Sequence, residues 1–148
     1  MQPCRETLAR IAEDTFASLA FMFPVEPQEA PPSAAPPVIA SVAFHGPWRG
    51  WLEMSLPPEM MAPLAANILG ADDPADTDVE KQVDALKEVL NVICGNLLPV
   101  IDSPQSEYTV AAPLMQKADL AGPDAAATET SICLDSGTVQ LRLLLAAA

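Results

Sequence analysis

From Val83 onward, apolar side chains return at helical spacing: Val83, Leu86, Leu90, Ile93 and Leu97 fall on one stripe at about 100° per residue. So long an apolar stripe has to be covered by a second layer of structure. Asp84, Glu88, Asn91 and Gly95 stack into another stripe on roughly the far side. The first stripe is a core face, and the second is presented to something. Thr77-Asp78-Val79-Glu80 ahead of it has capping-box spacing, with the Thr hydroxyl and Glu carboxylate meeting orphan amide donors. The helix should run about twenty residues to Leu98, because Pro99 has no amide donor to continue it.

The other segments supply that covering layer. Leu8, Ile11, Thr15, Leu19 and Met22 share one helical face with Phe16 and Phe23 beside it, so residues 5 to 23 read as a first helix ending at Pro24. Residues 24–37 are rich in proline and read as an extended surface linker. Val38 to His45 and Trp48 to Leu56 are β-rich runs joined at Gly46-Pro47, a natural hairpin. Pro57 opens a second helix carrying Met60, Met61, Leu64, Ile68 and Leu69, with Gly70 as its C-terminal cap. Tyr108 to Ala112 is a candidate strand and Gln116 to Ala127 a loop. Thr130 to Leu134 and Val139 to Leu145 form a last hairpin about Asp135-Ser136-Gly137. Adjacent hairpins favour an antiparallel sheet. The expected class is α+β, an antiparallel or mixed sheet covered by long helices, in a single domain spanning residues 1–148.

Charge and composition exclude several functions. With 20 acidic against 7 basic residues the formal net charge is −13, which disfavours nucleic acid and anionic lipid. Arg5, Glu6, Arg10, Glu13 and Asp14 interrupt any signal-peptide pattern, and apolar runs such as Leu143 to Ala148 are short of a membrane span, so a cytoplasmic protein is expected. Cys4, Cys94 and Cys133 are odd in number and widely spaced, as reduced thiols would be. His45 is the only histidine and sits at a strand end, which argues against histidine-dependent nucleophilic catalysis and against zinc. Phosphate-cradling glycine motifs are absent, and Asp72 to Asp78 lacks the glycine and glutamate of a calcium loop. Trp48 and Trp51 read as half-buried hairpin residues.

The polar stripe remains. It can be read as an ordinary solvated helix side to which Lys87 adds charge. Two residues fit that reading poorly: Asn91 is a weak helix former, and Gly95 costs about 1 kcal/mol relative to alanine in a helix interior. A glycine one turn beyond an asparagine is explained if another protein's backbone approaches closely, which makes the stripe a docking face.

The pattern Asp84-x3-Glu88-x2-Asn91, continued by Ile93-Cys94-Gly95-Asn96 and by Pro113 beside a strand, resembles the CheC/CheX chemotaxis phosphatases, the CheX branch in particular. Gly50 in the first hairpin, Leu69-Gly70 and the turn at Gly137 fall in that family's order, although Asn91 and Pro113 stand one residue closer than its usual spacing. The resemblance implies a phosphatase of a phosphorylated CheY-type response-regulator receiver. Asn91 would orient the attacking water and Glu88 would engage a receiver lysine, with Asp84 and Gly95 as partner-docking residues. It implies no cofactor of the protein's own, since Mg2+ is held by the receiver. Phe16 stands three residues after Glu13, where a second motif would need an amide, so one active site is expected. The resemblance also suggests a homodimer, paired through Leu141 to Leu145. The alternatives are a non-catalytic receiver- or flagellar-switch-binding adapter, and an α+β domain whose stripe is merely solvated.

Overall fold

A computed structural model describes residues 3–27, 35–118 and 126–147. Its elements run α1 (Arg5–Ala20), β1 (Val38–His45), β2 (Trp48–Leu56), α2 (Met61–Leu69), α3 (Val79–Ile101), β3 (Thr109–Val110), β4 (Ala126–Leu134) and β5 (Gly137–Ala147). The strands form one sheet in the order β3-β1-β2-β5-β4, and every pairing is antiparallel. Alternation along the strands sends Ala40, Val42, Phe44, Leu52, Met54, Leu56, Val139, Leu141, Leu143 and Leu145 to one face, where they join Leu8, Phe16, Leu64, Leu86, Leu90, Ile93 and Leu97 of the helices in one buried cluster. Thus α3 packs over β1 and β2, α1 over β4, and α2 against both helices. The other sheet face is tied by the Arg142 guanidinium, which donates to Glu53 at 3.0 Å.

Several boundaries differ from expectation, each for a local reason. The first helix stops at Ala20, short of Pro24: Phe21 turns left-handed at φ 54, and the Asn67 amide donates to the Ala20 carbonyl at 2.8 Å. This buries Met22 and leaves Phe23 exposed. Residues 28–34 of the proline-rich linker lie outside the described residues. Its start is no free linker, because the Val25 amide donates to the Cys133 carbonyl at 2.9 Å. The α3 N-cap is Asp78, one residue beyond Thr77; its carboxylate accepts from the Lys81 amide at 2.8 Å, while the Thr77 hydroxyl donates to the Pro74 carbonyl. Asp78→Ala should therefore cost about 1 kcal/mol, read as a lower urea midpoint at unchanged slope.

At its other end α3 runs through Pro99 to Ile101. The carbonyl that Pro99 cannot serve belongs to Gly95, four residues back on an exposed side where water can reach it. The candidate strand at Tyr108 to Ala112 narrows to Thr109–Val110, and the last hairpin is longer than expected, its strands meeting across Asp135-Ser136. Residues 119–125 of the expected loop lie outside the described residues. β5 sits between β2 and β4, so both of its edges are occupied and Leu141 to Leu145 cannot pair a second subunit's sheet. No helix among the described residues is long and apolar enough to cross a membrane.

Burial sets the chemistry of Cys94, a core residue of α3 whose thiol desolvation pushes from 9.0 up to about 12. Between about pH 9 and 12 the unfolded chain loses this proton and the folded chain keeps it. Native stability should then fall by about 1.4 kcal/mol per pH unit on this group's account. The stability–pH curve of Cys94→Ala, set beside that of the parent, should be shallower in that window.

Candidate functional site

The site is built on α3 because α3 is held on one side only. Leu86, Leu90, Ile93, Cys94 and Leu97 are fully buried and Val83 is half-buried, which fixes the rotation of the helix about its axis. Asp84, Glu88, Asn91 and Gly95 are all exposed. The structure thus brings all four sequence-identified residues onto one accessible stripe, with neighbours a turn apart at about 5–6 Å between Cβ atoms. No side-chain hydrogen bond or ion pair engages Asp84, Glu88 or Asn91 among the described residues. Their donors and acceptors are free to meet a partner.

Gly95 separates what the fold needs from what it does not. A Cβ at Gly50 would collide with the Leu144 carbonyl and come within 2.7 Å of the Phe44 ring, so glycine there is required by strand packing. A Cβ at Gly95 would meet nothing within 4 Å among the described residues. The glycine of the stripe has no packing role among them.

Two cavities lie away from the stripe. A cavity of about 340 Å³ lined by Glu53, Lys117, Glu129, Gln140 and Arg142 sits on the helix-free face of the sheet. One of about 280 Å³ lies beside Pro37, Leu56 and Pro57. The stripe residues line neither, so the stripe suits a macromolecule that brings its own cleft better than a small substrate needing enclosure. The acidic loop before α3 uses its carboxylates as caps: Asp73 accepts from the Ala75 amide at 2.9 Å and Asp78 from Lys81. Pro113 is buried next to the bridge between Ser41 and Leu114. His45 is exposed at the end of β1, and the three thiols are free. Lys87, which the sequence reading counts only as solvated charge, is half-buried one turn before Asn91.

A family model described as the chemotaxis phosphatase CheX matches residues 38–135, which include the whole of α3 and Pro113. The chain belongs to the CheX family. CheX from Desulfovibrio desulfuricans superposes with a TM-score of 0.71 at 16% identity, over 95% of this chain and 97% of that one. CheX from Vibrio vulnificus gives 0.69 at 12% identity, over 97% and 99%. The CheX–CheY–BeF3–Mg2+ complex from Borrelia burgdorferi gives 0.68 at 15% identity, over 95% and 96%. At these identities the likeness is one of fold, and it agrees with the α+β architecture over nearly the whole chain. No curated protein sequence matches.

Proposed function

We propose that this CheX protein hydrolyses the phosphoaspartate of a CheY-type response-regulator receiver, by presenting Asn91 to the attacking water. The observation that carries the reading is an exposed carboxamide with no partner among the described residues, midway along a helix whose opposite side is locked into the core. Support comes from the family match and from the Borrelia burgdorferi relative, captured with CheY, Mg2+ and beryllofluoride, which stands in for a phosphoryl group.

The chemistry asks little of the phosphatase. Phosphoryl transfer passes through a loose transition state served mainly by positioning and charge stabilisation. A carboxamide suits the work because it offers a donor and an acceptor, so it can hold a water in line, and it stays neutral beside an anionic group. Held on a rigid helix, Asn91 is pre-organised for that role. Glu88, one turn earlier, would pair with a receiver lysine and set the register, while Asp84 and Gly95 frame the docking face. The Mg2+ would be the receiver's own.

Incubating the protein with phosphorylated receivers of the same organism and following each phosphoaspartate tests the reading. Accelerated decay of at least one receiver is expected; a uniformly unaccelerated panel would instead favour a binding adapter. Gly95→Ala should separate docking from folding. Alanine is the better helix former, so stability should rise by up to about 1 kcal/mol. Receiver affinity should fall, because the added methyl stands where the partner's backbone approaches. Thermal melts and a binding titration on the same preparation measure both.

A further inference from the structure

Asn91 sits among negative charges, although the group it would meet is an anion. Glu80, Asp84 and Glu88 recur every four residues along the exposed side of α3, and the whole chain carries −13. Like charges at this spacing weaken the helix slightly and repel an incoming phosphoryl group. Lys87 is the one cation within a turn of Asn91 on this helix.

Its position is as favourable as that of Glu88. At 100° and 1.5 Å per residue, Lys87 lies about 40° around α3 from Asn91 and about 6 Å along it, on one flank, while Glu88 lies about 60° round on the other. Helical side chains lean toward the N-terminus, so the Asn91 amide comes down onto the turn that carries both residues. Lys87 is half-buried, with Val83 and Leu90 a turn away on its own side of the helix; a lysine so placed can lay its methylene stem on apolar neighbours and keep its ammonium in water. It forms no ion pair with Asp84 three residues back, nor with any other carboxylate among the described residues. Although the chain is strongly acidic, this ammonium is uncommitted among the described residues.

We propose that Lys87 is a second phosphoryl-facing group, whose ammonium contacts an oxygen of the receiver's phosphoryl group while Asn91 holds the water. This rests on the phosphatase reading above. Opposite charges then flank the amide: Glu88 toward the receiver's cation, Lys87 toward its anion. Together they fix the orientation in which the two proteins meet, which neither charge does alone.

The test compares the parent, Lys87→Gln and Lys87→Arg on a receiver of the same organism, in two states: with Mg2+ alone, and with Mg2+ and beryllofluoride. Lys87→Gln should lose about tenfold in affinity for the beryllofluoride state and keep its affinity for the unloaded one. Lys87→Arg should retain most of the preference, and all three should melt alike. An equal loss on both states, which is what long-range steering would give, overturns the proposal, and so does no loss on either. The decay assay keeps the two readings apart. Decay that requires Asn91 but is undiminished in Lys87→Gln removes Lys87 alone, whereas a parent that accelerates no receiver's decay removes both.

Discussion

Asn91→Ala is expected to slow receiver dephosphorylation about 10²-fold, about 2.7 kcal/mol of barrier, while the protein stays folded and binds its receiver. The side chain is exposed and makes no hydrogen bond among the described residues, and alanine is the better helix former, so the melting temperature should hold or rise slightly. The loss should appear in kcat rather than in KM, since a group that only positions water contributes in the transition state. Asn91→Asp should be similarly impaired despite its matched shape, because it replaces a neutral donor and acceptor by a charge facing the phosphoryl group. Single-turnover decay of the phosphoaspartate at saturating phosphatase measures both variants. Full activity in Asn91→Ala would show that hydrolysis does not depend on this amide.

The neighbouring residue should behave in the opposite way. Leu90 precedes Asn91 in sequence but lies wholly within the core against the sheet. Leu90→Ala removes buried methyl groups and leaves a cavity, which should cost about 2–5 kcal/mol, a large part of the stability of a domain this size. Urea denaturation should show the midpoint falling at unchanged slope. At temperatures where the variant remains folded, its turnover of a phosphorylated receiver should stay near the parent's, because Asn91 keeps its place on the helix surface. Residues 90 and 91 would then divide stability from activity across one peptide bond. A Leu90→Ala protein as stable as the parent would mean that the apolar stripe does not anchor α3.

Features set by neighbours in sequence were legible from the sequence. The β1–β2 hairpin turns at Gly46-Pro47, and Gly70 adopts the left-handed cap at φ 73 that ends α2. The two stripes of α3 follow from helical period alone, and the four residues of the polar stripe all stand exposed. What escaped depends on contacts distant in the chain. Asn67 draws α1 to its end at Ala20, and the apolar run of β5 recruits Ala126 to Glu129 into a strand that their composition does not announce. The α3 cap moved by one residue because Thr77 and Asp78 are both competent caps, and only the structure shows the Thr hydroxyl taken by Pro74. The resemblance suggests a subunit pairing through Leu141 to Leu145, but β5 lies between β2 and β4, a place set by strands distant in the chain. Pro99 read as a stop, but a helix tolerates proline in its last turn when the orphaned carbonyl faces water.

In a structure of this protein bound to a receiver carrying Mg2+ and beryllofluoride, the Asn91 carboxamide should lie within hydrogen-bonding reach of the beryllofluoride, directly or through one water, with Glu88 on a receiver lysine. A receiver seated on another surface, with Asn91 still facing solvent, would show that this amide does not enter the receiver's active site.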